Sequence, residues 1–238
     1  MRYPGGKGQI YQRLVNLMPP HRVYIESHLG GGAVLRHKHP ALLNIGIDID
    51  PDVLRLFCDY PSNYKFVCAD AVVALKALRV TSDTLIYSDP PYFPTTRRAA
   101  RVYRHDYSET DHISLLETLR ELPCMVMISG YANSFYDEKL SGWHREAFGG
   151  TSQVGRREEI VWMNFKPRIL HDTRFVGDTF RDRDANCRKR RRWKARFGEL
   201  PKPHQQAVLS DLLSVFIRDL AEADRKRMAE TLLNEGGT

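Results

Sequence analysis

The residues with the clearest chemical purpose in this sequence are Asp89-Pro90-Pro91-Tyr92, which close the apolar run Thr84-Leu85-Ile86-Tyr87. Two consecutive prolines fix the backbone and remove two amide donors. An acid then stands on one side of a rigid corner and an aromatic ring on the other. Such a corner can turn a carboxylate and a carbonyl oxygen toward one planar amine while the ring stacks on it. The same four residues also suit an ordinary Asp-Pro turn after a buried strand, with Tyr92 as packing. A second signal is Gly30-Gly31-Gly32, preceded by Glu26. Glycines between a strand and a helix let the backbone approach a ligand closely. Their spacing is not the Gly-x-Gly-x-x-Gly of dinucleotide binding, so no pyrophosphate is implied. Asp48, roughly twenty residues downstream, stands where an acid accepts ribose hydroxyls in such folds. It serves equally as a helix cap before Pro51, and Asp70 suits a plain cap in the same way. Together the glycines and the strand-end acids point to a nucleoside-like cofactor without a diphosphate.

These residues need elements to place them. Arg2-Tyr3-Pro4-Gly5-Gly6-Lys7 reads as a turn before a helix from Gln9 to Leu17, closed by Pro19-Pro20. Val23-Tyr24-Ile25 is a short buried strand running into Glu26, and Ala33 to His37 is helical. Asn44 to Asp48 is a second strand, with a helix from Pro51 through Phe57. Lys65 to Cys68 is a third strand ending at Asp70, and Thr84 to Ser88 a fourth ending at the corner. Ser108-Glu109-Thr110-Asp111 has the form of a capping box opening a helix with Ile113, Leu116, Leu119 and Leu122. Met125 to Ile128 is a fifth strand, and Trp143 to Phe148 with Glu159 to Phe165 forms an antiparallel pair. Strands alternating with helices predict an α/β, Rossmann-like, mostly parallel sheet with helices on both faces. Ligands in open sheets of this kind bind beyond the carboxyl ends of strands. The acids Glu26, Asp48, Asp70 and Asp89 are therefore expected on one rim.

The formal net charge is +7, with a pI near 9.3. It is unevenly placed: +2 over residues 1–167 and +5 over residues 168–238. The first segment reads as a catalytic domain, the second as a basic, mainly helical extension whose end carries Val208, Leu212, Phe216 and Leu220. The basic excess implies a polyanionic partner. Solvated surface charge explains the scattered residues but poorly explains the run from Arg188 to Arg196. No stretch resembles a signal peptide or approaches the ~18 apolar residues of a membrane span, so a soluble protein is expected. Cys58, Cys68, Cys124 and Cys187 lack Cys-x-x-Cys spacing and read as reduced thiols of an intracellular protein. His37 and His39, two apart, do not share a helix face, and no metal site is expected.

In order along the chain, Tyr3-Pro4-Gly5-Gly6-Lys7, Glu26-Ser27-His28-Leu29-Gly30-Gly31-Gly32, Asp48-Ile49-Asp50 and Asp89-Pro90-Pro91-Tyr92 resemble the motifs of the Dam-type, alpha-class DNA N6-adenine methyltransferases. The resemblance spans about the first 165 residues. More loosely, Arg181 to Trp193 is similar to the arginine-rich tail of phage and prophage members. The resemblance implies an S-adenosylmethionine-dependent methyltransferase fold and a cytoplasmic setting in a bacterial or phage-infected cell. Tyr3 and Lys7 would hold the methionine end of the cofactor. Glu26 and the turn from Gly30 to Gly32 would shape its floor, Asp48 would accept the ribose hydroxyls, and Asp70 would lie near its adenine. Asp89 and the Pro90 carbonyl would accept hydrogen bonds from the target amine, with Pro91 completing the corner and Tyr92 stacking on the base. The target would be adenine in double-stranded DNA, flipped from the helix. A cognate restriction endonuclease is a candidate partner.

Two features depart from the family. Ser27-His28 stands where the family usually has a proline and an aromatic; His28 can still stack on adenine but introduces a titratable ring. Better-known members also carry a recognition domain between the third strand and the acidic corner, whereas only Ala71 to Ser88 lies there. Contact with DNA is instead expected from residues 93–107, with Arg97, Arg98, Arg101 and Arg104 as base readers. Arg188, Lys189, Arg190, Arg191 and Arg192 are expected to clamp phosphates. The bland alternative there is a solvated helix face with Trp193 packed back on the domain. RNA adenine or the N4 amine of cytosine would suit the same corner, and a DNA-binding protein without turnover is the rival of a different class. Protein glutamine methylation fits less well, since that chemistry usually has Asn at the position of Asp89.

Overall fold

The computed structural model describes residues 10–96, 105–148, 158–167, 169–218, 220, 222 and 225. Two compact units divide the chain: Met1–Tyr11 with His21–Lys166, and Gln12–Pro20 with Pro167–Thr238. The second unit thus takes in Gln12–Pro20, which lay inside the catalytic segment in the sequence reading.

The first unit is built on one seven-stranded sheet. Its strands are β1 (Val23–Glu26), β2 (Leu43–Asp48), β3 (Tyr64–Cys68), β4 (Thr84–Ser88), β5 (Met125–Tyr131), β6 (His144–Phe148) and β7 (Glu159–Met163), in the order β3-β2-β1-β4-β5-β7-β6. The first five are parallel, and β7 runs antiparallel to both β5 and β6. This is the Rossmann-like, mostly parallel sheet expected, with its antiparallel final pair. Every residue of β4 is buried, as suits a strand near the middle of a sheet covered on both faces. Ile25, Ile45, Ile47, Ile86, Val126, Ile128, Ile160 and Trp162 form the sheet's share of the core.

Short helices link the strands: α2 (Ala33–His37), α3 (Pro51–Leu54, continued by a 3-10 turn over Arg55–Phe57), α4 (Ala71–Ala77), α5 (Glu109–Glu121) and α6 (Ser134–Lys139). The capping box of α5 is present: the Asp111 amide donates to Ser108 Oγ at 3.2 Å, and the Ser108 amide to Asp111 Oδ2 at 2.8 Å. Its buried stripe runs through His112, Leu115, Leu116 and Leu119. Ile113 is only half-buried, because the helix is turned about one residue from the expected face.

In the second unit, α1 (Tyr11–Val15) buries Leu14 and Val15. The His171 amide donates to the Met18 carbonyl at 2.8 Å, and Asn16 donates to the Phe175 carbonyl. Two helices follow, α7 (Phe180–Glu199) and α8 (Lys202–Arg218). Helix α7 opens with a second capping box, Thr179 with Asp182, and buries none of its residues. Trp193 is 64% exposed. On α8 the apolar residues Val208, Leu212 and Phe216 are exposed, while Leu220 beyond it is buried. No helix among the described residues is long and apolar enough to cross a membrane.

Candidate active site

The carboxyl ends of the parallel strands bring the expected acids together. Glu26 is the last residue of β1 and Asp48 the last of β2; Asp70 follows β3, and Asp89 follows β4. All four line one cavity of about 320 Å³, with His28, the turn from Gly30 to Gly32, Pro90 and Pro91. Asp89, Pro90 and Pro91 thus border the cavity, whereas Tyr92 is not among its lining residues.

The glycine turn is shaped for close approach. Gly30 and Gly32 have φ of 47° and 61°, a left-handed backbone that favours glycine. A Cβ on Gly32 would meet Phe57 Cζ at 2.6 Å. Asp48 holds this turn in place: its Oδ2 accepts the Gly30 amide at 2.8 Å, and its Oδ1 the Asp50 amide at 2.9 Å. Burial raises the Asp48 carboxyl above its ordinary value despite these donors. The cap before Pro51 is Asp50, whose Oδ1 accepts the Asp52 amide. Asp70 does cap a helix, accepting the amides of Val72 and Val73 at 2.9 and 3.1 Å through one oxygen. That oxygen serves α4, and the carboxylate also borders the cavity.

Glu26 is 3% exposed; its Oε2 accepts the Tyr24 hydroxyl and the Leu35 amide, each at 2.9 Å. Burial pushes its carboxyl up to about 8, with nearby Asp89 adding in the same direction. Beside it, His28 has its Nδ1 3.0 Å from Ser27 Oγ and 3.3 Å from Ser88 Oγ, and its Nε2 2.9 Å from the Tyr107 hydroxyl. Burial, with His112 nearby, holds His28 down at about 3. The ring is therefore neutral at physiological pH.

At the corner, Ser129 Oγ donates to Asp89 Oδ1 at 2.8 Å and lies 2.9 Å from the Tyr87 hydroxyl. The ring of Tyr92 stacks on Tyr131, with centroids 4.0 Å apart and planes at 21°. Phe93, 7% exposed, stacks on Phe135 and pins the chain as it leaves the corner.

His105, Asp106 and Tyr107, from the segment 93–107 expected to contact DNA, also line the cavity, as does Asp111 in the first turn of α5. Tyr107 is kept protonated by burial, and by Asp70, Asp111 and Asp48. Asp50 was visible as the second acid of Asp48-Ile49-Asp50. Of the other expected site residues, Tyr3, Lys7, Arg97, Arg98, Arg101 and Arg104 lie outside the described residues. Arg188, Lys189, Arg190, Arg191 and Arg192 all lie exposed on α7. Arg188 pairs with Asp184 one turn away, and Arg190 donates to the Thr173 carbonyl at 2.8 Å and hydroxyl at 3.0 Å.

The described lining of the cavity contains seven carboxyl residues (Glu26, Asp48, Asp50, Asp70, Asp89, Asp106 and Asp111) and no Lys or Arg. Such a wall disfavours a diphosphate and suits a ligand with hydroxyls and positive charge.

No family model matches the chain, and no curated protein matches it in sequence. Among solved structures it is similar to the 23S rRNA methyltransferase ErmE, at 12% identity over 78% of this chain and 84% of that one, with a TM-score of 0.47. An rRNA methylase from Streptococcus thermophilus is 10% identical over 71% of this chain and 99% of its own, with a TM-score of 0.45. A SAM-dependent methyltransferase from Agrobacterium tumefaciens is 14% identical over 66% and 60%, with a TM-score of 0.41.

Proposed function

We propose that this protein transfers a methyl group from S-adenosylmethionine to the N6 amine of an adenine flipped out of double-stranded DNA. The observation that carries this reading is the cavity at the strand ends, which joins an acid-lined, glycine-floored pocket to the Asp89-Pro90-Pro91 corner. A cationic cofactor with ribose hydroxyls and no phosphate suits that lining. Asp48 and Asp50 are the acids for the ribose, the turn from Gly30 to Gly32 provides the close floor, and neutral His28 offers a ring edge without competing charge. Asp70 borders the adenine side, and Tyr3 and Lys7 serve the methionine end. When bound, S-adenosylmethionine supplies a methyl carbon to the amine nitrogen, the carbon–sulfur electron pair leaving on sulfur.

The exocyclic amine is a poor nucleophile because its lone pair is delocalised into the purine. Asp89 and the Pro90 carbonyl accept its two hydrogens, draw them from the ring plane and localise the lone pair. The surplus proton leaves from nitrogen toward Asp89 and solvent. Positioning and electrostatics therefore carry the reaction. A base inside a duplex cannot reach the corner, and stacking on Tyr92 offsets part of a flipping cost of roughly a few kcal/mol. Arg97, Arg98, Arg101 and Arg104, which follow the corner in sequence, are assigned to base readout, and the exposed cations of α7 to phosphate contact.

The reading is tested by transfer of labelled methyl from S-adenosylmethionine to adenine-methylation-deficient DNA, with RNA as a parallel acceptor. Label in DNA adenine supports it. Label confined to RNA or to cytosine replaces the acceptor, and no label in either overturns the reading.

A further inference from the structure

The end of β5 reaches the corner at two points that the motif residues do not account for. In the sheet, Ser88 pairs with Ile128, so Asp89, the next residue, comes level with Ser129. Ser129 is fully buried, and its hydroxyl bridges Asp89 Oδ1 at 2.8 Å and the Tyr87 hydroxyl at 2.9 Å. Tyr131 lies two residues on, so it projects from the same face of the strand. Its ring covers one face of Tyr92 at 4.0 Å.

Both residues sit on rigid backbone. Ser129 pairs with Val161 of β7, and Tyr131 with Glu159. Asn133 clamps the strand end, donating to the Tyr131 carbonyl at 2.8 Å while its own carbonyl accepts the Tyr136 amide at 2.8 Å. A hydrogen bond from a fully buried hydroxyl fixes the rotation of a carboxylate about its Cβ–Cγ bond. A stacked ring likewise fixes the plane of its partner. The face of Tyr92 that Tyr131 covers is then closed to a base.

We propose that Ser129 and Tyr131 are positioning residues of the methyl-transfer site. Ser129 sets the orientation of the Asp89 carboxylate, and Tyr131 backs the Tyr92 ring, fixing its plane and closing the covered face to the target base. This assignment rests on the methyltransferase reading above. Ser129 acts on the reacting amine only through Asp89, and Tyr131 on the base only through Tyr92.

The test is steady-state kinetics of the full chain on methylation-deficient DNA, with S-adenosylhomocysteine binding by calorimetry as the check on folding. Ser129→Ala should lower kcat by roughly 10- to 100-fold, the scale of a small misplacement of a reacting group, with KM for the cofactor held within about twofold. Ser129→Thr, which keeps the hydroxyl, should recover most of that loss. If Ser129→Ala loses S-adenosylhomocysteine binding, Ser129→Cys takes its place with the same expectation, since a thiol fills the site but donates weakly. Tyr131→Ala should raise KM for DNA and lower kcat, and Tyr131→Phe, which keeps the stack, should recover most of that loss. Ser129→Ala and Tyr131→Ala both near wild-type rate, with Asp89→Ala inactive, would overturn the positioning roles and leave the methyltransferase reading intact. A wild-type chain that binds S-adenosylhomocysteine yet methylates nothing overturns the reading and the assignment with it.

Discussion

Two buried groups that face the cavity give the protein's stability a pH dependence of definite shape. Glu26 is raised from an ordinary value of 4.5 to about 8, and His28 is lowered from 6.5 to about 3. For Glu26 the folded state holds its proton more tightly than the unfolded state, so its contribution is complete below pH 4.5 and is lost as pH rises toward 8. For His28 the unfolded state takes up the proton first, so its contribution is complete above pH 6.5 and is lost as pH falls toward 3. Each slope is about 1.4 kcal/mol per pH unit. Between pH 4.5 and 6.5 the two oppose each other and stability is level. Above pH 6.5 Glu26 acts alone, and stability should fall by about 2 kcal/mol on the way to pH 8. Asp48, also raised by burial, acts in the same direction as Glu26 just above its own ordinary value. The assay is urea unfolding of a Trp193→Phe background across this range, so that Trp143 and Trp162 report on the sheet unit. Glu26→Gln should abolish the alkaline fall and uncover a rise between pH 4.5 and 6.5. His28→Phe should abolish the acid fall. Saturating S-adenosylmethionine should flatten the alkaline limb, since a bound cation favours the ionised carboxylate. A wild-type curve level from pH 6.5 to 8, parallel to that of Glu26→Gln, would refute the argument.

Two further outcomes follow from the geometry. Gly32→Ala places a Cβ 2.6 Å from Phe57 Cζ at a φ of 61°. Phe57 is held between Phe66 and Arg36, so the variant should lose on the order of 2–3 kcal/mol by urea denaturation and bind S-adenosylhomocysteine more weakly by calorimetry. Replacing Lys189, Arg191 and Arg192 with Gln should weaken DNA binding on all sequences and reduce the salt slope by about 0.9 for each phosphate contact removed. The methylated motif should stay the same, as read by sequencing of modified DNA.

The parts of this protein that depend on local pattern were legible in advance. β1 through β4 are short apolar runs ending at acids, and the sheet places those acids on one cavity as their positions implied. The capping box at Ser108 marked the start of α5 correctly because it is a purely local signal. Thr179 and Asp182 form the same kind of box at α7. Helix α4 gives little signal because its seven residues, about two turns, carry little periodicity, although Asp70 reads as a cap. What no local pattern shows is proximity across the fold. The bond between His28 and Tyr107 joins residues 79 apart, and that between Ser129 and Asp89 joins residues 40 apart. His28 looked like a titratable substitution because the sequence shows the ring and not its burial.

The central claim is that the Asp89 corner methylates adenine in DNA. It is tested most directly by nucleoside mass spectrometry of DNA and RNA from a methylation-deficient bacterial host expressing this chain or its Asp89→Ala variant. The account requires N6-methyldeoxyadenosine with the wild type and none with Asp89→Ala. N6-methyldeoxyadenosine at equal levels from both chains, or a new methylated base found only in RNA, would contradict it.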